Sequence, residues 1–194
     1  MNKIAIVTAL TAMMFASGCA HMINITPPLN TLSAEGVTKS TKTVGYYISP
    51  EQRALKVTTP GGGGDKVSYL PYTEAEPALK QILLNAYASA VSLSAPNDTA
   101  ELQSKNVAYV FIPTITTTSK STSAFTWPPT NFTVTLDCNA ADANGAAVWN
   151  GKVTGTGEAE FADFKHDFSL AARRASKDAF NQLQKAIVAA PELK

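Results

Sequence analysis

The chain has 194 residues, of which 45% are hydrophobic and 16% charged. That size and apolar content suit one domain with a core large enough to fold alone, and an aromatic content of 8% argues against disorder over most of the length. With 16 Lys and Arg against 15 Asp and Glu, no basic field exists to draw the chain to phosphate backbones, and nucleic acid is not an expected partner.

The first element is a leader. Met1-Asn2-Lys3 gives a short positive start, and Ile4 to Phe15 forms an apolar run of the length that a secretion signal needs. It is too short to span a bilayer, which takes about 20 apolar residues. Small residues then lead straight into a cysteine, Ala16-Ser17-Gly18-Cys19. Taken alone, these residues also allow an ordinary cleavable signal or a short buried helix. The stretch resembles the lipobox of bacterial lipoproteins, with Ala16 where that family usually has Leu, Val or Ile. The resemblance implies that residues 1–18 are removed, that Cys19 carries a diacylglyceryl thioether, and that its new amine is acylated. It also implies an outer-membrane address, because Ala20 is not the Asp that favours inner-membrane retention; of the two sides of that membrane, the periplasm is the expected one and the cell exterior the other. Cleavage would leave 176 residues and, with Lys3 gone, 15 basic and 15 acidic side chains. Acyl chains contribute about 0.8 kcal/mol per buried CH₂, so two or more hold a domain at a bilayer without a transmembrane helix.

Residues 19–42 read as a lipidated N-terminus and flexible tether, with Pro27-Pro28 and many Thr, Ser, Asn and Gly. The domain itself is expected over 43–194. Thr43 to Ile48 is β-branched and aromatic and stops at Ser49-Pro50, as a strand would. A second short strand is expected from Arg53 to Thr58, then a flexible glycine loop to Lys66, then Val67 to Leu70 as a returning hairpin arm. Thr73-Glu74-Ala75-Glu76 fits a capping box, with Pro77 in the first turn. The apolar spacing of Leu79, Ile82, Leu83, Ala86, Tyr87, Ala90 and Val91 predicts a helix to about Leu93, ended by Ser94 to Asn97.

Val107 to Ile115 reads as a strand whose first half is covered on both faces. A long polar connection follows over 116–130, then a strand from Phe132 to Ala140, a turn at Asp142 to Gly145, and a return arm from Val148 to Gly155. From Asp167 or Ser169 a second amphipathic helix extends to about Ala190, with Arg173, Arg174, Lys177 and Lys185 mainly off its apolar face, as a solvated surface or a binding patch. The order predicts an α+β fold, an antiparallel or mixed sheet with two helices packed on one face.

Little chemistry is visible. With Cys19 committed to lipid, Cys138 has no disulfide partner; it falls on the same side as Phe132, Val134 and Leu136, as a buried small hydrophobe or a reactive thiol. Gly61-Gly62-Gly63-Gly64-Asp65-Lys66 lacks the Gly-Lys-Ser/Thr order and following helix of a phosphate loop. His21 and His166 are too few for an ordinary zinc site. Glu158, Glu160, Asp163 and Asp167 gather around His166, as a charged edge and helix N-terminus or as oxygen ligands without EF-hand spacing. No catalytic residue, metal or cofactor is expected, and the chain reads as a non-enzyme. Gly61, Gly62, Gly63, Gly64 and Asp65, with Phe125, Trp127, Pro128 and Pro129, are the candidate contacts for a protein partner, since loops on a rigid sheet commonly carry recognition; Trp127 folded onto the core is the other reading.

The order of lipobox, Pro-containing tether, strand, helix, strand, hairpin and Ala-rich terminal helix resembles the small envelope lipoproteins of the YajG type. What that resemblance implies is a non-enzymatic binding or scaffold part of an envelope assembly, with the bilayer and an envelope protein as partners. A carrier of a lipid or other apolar ligand, using a cavity between helices and sheet, is the alternative.

Overall fold

The computed structural model describes residues 20–123, 125–164 and 166–194; the leader and Cys19 lie outside the described residues. The fold is α+β, as the pattern of elements predicts, with a mixed sheet of order β5-β2-β6-β7-β8. Its strands are β2 (Ser40–Tyr46), β5 (Tyr87–Ser92), β6 (Val107–Lys120), β7 (Asn131–Asp142) and β8 (Ala147–Glu158). Strand β2 is parallel to both of its neighbours, whereas β6, β7 and β8 run antiparallel in sequence order. The expected 67–70 arm does form a hairpin, but in a second sheet, where β4 (Lys66–Tyr69) lies between β3 (Val57–Pro60) and β1 (Ala20–Met22).

The small sheet rests against the far half of β6. Tyr69 and Thr117 share a hydroxyl hydrogen bond of 2.6 Å, and the Ser119 hydroxyl donates to Thr59 Oγ1 at 2.7 Å and to the Pro60 carbonyl at 2.5 Å. This explains why β6 changes character along its length. Near its start Val110 and Phe111, on opposite faces, are both fully buried, Val110 beneath the short helix α3 (Thr99–Ser104) and Phe111 in the main core. Beyond Pro113, Thr114, Thr116 and Thr118 face solvent while Thr117 and Ser119 meet the small sheet.

Two long helices, α2 (Pro71–Ala86) and α5 (Leu170–Ala189), bury their apolar stripes in one core. Leu79, Ile82 and Leu83 from α2 meet Phe180 and Leu183 from α5 above Phe132, Val134, Leu136 and Cys138 of β7, all at most 2% exposed. Strand β7 alternates buried and half-buried residues over most of its length, the pattern of a sheet with one covered face. Helix α5 approaches β8 unusually closely. A Cβ on Gly155 would lie 2.2 Å from the Ala179 nitrogen, and one on Gly157 would lie 2.0 Å from the Ala171 carbonyl oxygen. The alanine stripe 171, 175, 179 and the two glycines are therefore one device, which brings helix backbone onto strand backbone.

Several sequence expectations are corrected. The helix predicted to reach Leu93 ends at Ala86, and residues 87–92 form β5 instead. The apolar spacing suits a helix, but β2 would otherwise have a bare edge; the Leu93 amide still donates to the Tyr46 carbonyl at 3.0 Å. Tertiary pairing outweighs local propensity here. Helix α2 also starts earlier, at Pro71, so Pro77 stands within the helix rather than in its first turn. The capping box is not used. Glu74 takes that role, accepting from the Leu70 amide at 3.0 Å, while the Thr73 hydroxyl donates to the Arg53 carbonyl. The stretch from Arg53 is likewise split between α1 (Pro50–Ala54) and β3, with a capping box at Ser49 and Gln52. A short helix α4 (Phe161–Phe164) precedes α5.

The largest correction concerns the tether. Residues 20–33 are held on the body, with Ile23, Ile25 and Leu32 at 5%, 1% and 3% exposed, while residues 34–39 are mostly exposed before β2 begins at Ser40. The Glu74 carboxylate accepts from the Ile25 amide at 2.6 Å, and Ser169 Oγ accepts from the Asn24 amide at 3.0 Å. A buried amide pair holds the next turn. Asn85 Nδ2 donates to the Leu32 carbonyl at 3.0 Å and to Gln184 Oε1 at 2.8 Å, and Gln184 Nε2 donates to the Ser33 carbonyl at 2.7 Å. Polar composition suggested a free linker, but these polar groups have buried partners, and a few well-spaced apolar residues suffice to dock the segment.

Candidate functional site: an aromatic edge beside strand β1

The candidate contact residues converge at one end of the small sheet. Strands β3 and β4 leave Gly61 to Asp65 as their connection, and the polar segment after β6 folds over it. The Gly62 amide donates to the Trp127 carbonyl at 2.8 Å and the Gly63 amide to the Ser123 carbonyl at 3.3 Å. The loop closes on itself as well, since the Gly61 amide donates to the Asp65 carbonyl at 2.9 Å. Gly61 and Gly62 are required by close approach: an added Cβ would sit 2.4 Å from the Trp127 oxygen and 1.8 Å from the Thr126 oxygen. Gly63 and Gly64 take positive φ, 65° and 87°, which side chains disfavour. The expected flexible loop is thus a docked one, and Gly62 is buried.

Trp127 lies at the centre. Its ring stacks on His21 with centroids 4.1 Å apart and planes 15° from parallel, and meets Phe168 at 5.0 Å. It is half-buried against the main core, so the reading in which Trp127 folds down onto the core holds. His21 Nε2 also reaches Asp65 Oδ2 at 3.2 Å. Pro128 and Pro129 are buried. Phe125 behaves differently: it is 96% exposed, although Ser123 Oγ accepts from the Phe125 and Thr126 amides at 3.2 and 3.1 Å and holds the turn beneath it. Phe168 is 50% exposed. His21 and Phe168 were not among the sequence candidates for this edge. They are 147 positions apart, and no periodicity links them; only the nearness of His21 to Cys19 marks it in the sequence.

The other candidates resolve separately. Cys138 is fully buried in β7, and burial, helped by the charge of Asp137, pushes its thiol up to about 12; it is a core residue, not a nucleophile near neutral pH. Two of the acidic residues near His166, Asp163 and Asp167, pair with arginines of helix α5. Arg174 Nη1 donates to the Glu158 carbonyl at 2.6 Å and lies 3.2 Å from Asp163 Oδ2, and Arg173 pairs with Asp167. Those two arginines therefore hold neighbouring elements together, while Lys185 is solvated. Among the described residues no group of three or more His, Cys, Asp or Glu is placed to hold a metal ion. Also among the described residues, no helix is long and apolar enough to cross a membrane.

A surface groove of about 430 Å³ opens between β2 and the end of α5, lined by Thr38 to Lys42, Tyr87, Ile187, Val188 and Leu193. The Lys42 ammonium at its rim donates to the Tyr109 hydroxyl at 2.8 Å and to the Lys194 carbonyl at 2.5 Å.

No family model matches the chain, and no curated protein matches it. Among solved structures, a Xanthomonas campestris protein of the DUF330 family is similar at a TM-score of 0.44 and 11% identity, over 89% of this chain and 92% of that one. A PelC variant from Paraburkholderia phytofirmans, a dodecamer, is similar at 0.44 and 17%, over 76% and 91%. A Caulobacter crescentus protein named a "putative lipoprotein" is similar at 0.38 and 16%, over 82% and 91%. Likenesses of this size carry no functional argument, and the reading of the chain rests on its own residues.

Proposed function

We propose that this chain is a lipoprotein anchored through acyl chains on Cys19, facing the periplasm at the outer membrane, and acting there as a non-enzymatic binding or scaffold component. One observation carries the reading: the apolar leader and Ala16-Ser17-Gly18-Cys19 are followed, at Ala20, by strand pairing, Ala20 lying opposite Lys66. A chain cut before Cys19 therefore keeps strand β1 and its pairing intact, as expected of a leader that can be removed without loss to the fold. Intact-mass measurement on protein from the envelope of its native host tests this. The expected result is a chain beginning at Cys19 with a thioether-linked diacylglycerol and an amide-linked acyl group, lost on Cys19→Ser; an unmodified sulfur or a retained leader would overturn it. Crosslinking in intact cells then reads out the partner protein.

The groove beside Tyr87 and Leu193 favours a second reading, carriage of an apolar ligand. Native mass spectrometry of gently purified protein separates the two, since a co-purifying lipid beyond the anchor supports the carrier and its absence with a captured protein supports the scaffold.

A further inference from the structure

We infer that the edge formed by Phe125, Trp127 and Phe168 is a membrane-contact surface, and that it seats the folded body directly on the bilayer that holds its acyl chains. The inference rests on the lipid anchor proposed above and extends it from an attachment to an orientation. Residue 19 is one peptide link, about 3.8 Å between Cα atoms, from Ala20, which is already paired in β1. The docking of residues 20–33 removes the spacer that the sequence suggested next to Cys19. An anchor without a spacer brings the surface around β1 to the headgroups whatever else the protein binds.

That surface carries the right groups. His21, one position beyond Ala20, stacks on Trp127, and Trp127 leans on Phe168. Phe125 stands two residues from Trp127, almost wholly exposed on a turn fixed by Ser123 and by the glycine loop. An exposed phenyl ring on a braced turn gains nothing from water, and aromatic rings are favoured at the boundary between headgroups and acyl chains. Lys66, across from Ala20, is exposed and supplies a cation for lipid phosphates, while the Asp65 carboxylate is engaged by His21. A phospholipid surface is thus the occupant that the position of the anchor selects.

The test uses the acylated protein reconstituted in vesicles of phosphatidylethanolamine with a minor share of phosphatidylglycerol. Trp149→Phe leaves Trp127 as the only tryptophan, since the chain has two. Phospholipids brominated near the headgroup end of the acyl chain should quench Trp127. Phe125→Ser together with Phe168→Ser should shift the docked-to-undocked ratio by roughly tenfold or more and remove most of that quenching. No quenching in protein whose Cys19 is acylated, or quenching indifferent to the double variant, overturns the docking and leaves the anchor standing. Detergent-soluble self-association abolished by Phe125→Ser would assign the edge to a second copy and likewise overturn it. An unacylated Cys19 in the native host overturns the anchor and the docking with it.

Discussion

Gly157 in β8 and Gly62 in the connection after β3 face the same physical demand, because at each a second backbone occupies the place of a side chain. The Ala171 carbonyl oxygen lies 2.0 Å from a Cβ built on Gly157, and the Thr126 carbonyl oxygen lies 1.8 Å from one built on Gly62. Their surroundings differ. Strand β8 is paired along its length with β7 and lies under α5, above fully buried side chains, so neither partner at Gly157 can withdraw without opening the core. The loop at Gly62 meets another surface segment through a few hydrogen bonds, and it can leave while the sheets persist. The severity of a clash is set by what must move to relieve it, and not by the overlap distance alone.

The comparison is broken most directly at β8. Gly157→Val should cost about 3 kcal/mol, lowering Tm by roughly 6 to 12 °C, with Gly157→Ala costing less, so that the loss grows with side-chain size; denaturant unfolding measures it. At Gly62 the loss should be capped by the docking free energy of the loop. Gly62→Ala and Gly62→Val are expected to cost the same, about 1 to 2 kcal/mol, and a clear dependence on size there would show that the loop is as firmly held as β8. Gly64 isolates the third reason for a glycine, since its φ is +87° and nothing lies within 4 Å of an added Cβ. Gly64→Ala should cost about 1 kcal/mol from backbone conformation alone.

The sequence makes one of these glycine sites more legible than the other. The paired strands β7 and β8, their Asp142 to Gly145 turn and helix α5 are all visible as periodicity and turn chemistry, because each is specified by neighbours in the chain. Alternation in Phe132 to Ala140 even places Cys138 on the covered side, where it lies. The glycine run reads as flexible because what pins it, residues 123–127, lies about 60 positions later and contributes carbonyl oxygens, which no side-chain pattern reveals. The same limit hid the docking of residues 20–33, held by Glu74, Asn85 and Gln184 from two distant helices. It also hid β5, whose strand conformation answers the bare edge of β2. Phe125 and Trp127 were legible as candidates, but their contrast, one ring exposed and the other stacked, depends on His21 and Phe168 arriving from elsewhere.

The buried thiol turns the same contrast into a rate. Cys138 pairs across from Gly151 in β8, and with its thiol raised to about 12 by burial almost no thiolate is present in the native state at pH 8. Labelling by a thiol reagent then waits for an opening that exposes Cys138 to water, after which its acidity returns toward the ordinary thiol range and reaction proceeds. In Cys19→Ser protein, where Cys138 is the only thiol, the labelling rate therefore reports how often β7 and β8 come apart. Gly157→Val strains that opening unit itself and should speed labelling by about a hundredfold, the factor that corresponds to roughly 3 kcal/mol. Gly62→Ala relieves its strain by releasing a surface loop, so the core is destabilised by no more than the lost docking of about 1 to 2 kcal/mol, and labelling should rise by less than about thirtyfold. Equal acceleration in the two variants would mean that the glycine loop and the β7–β8 core open together, and that the edge carrying Trp127 belongs to the same cooperative unit as the helix-covered sheet.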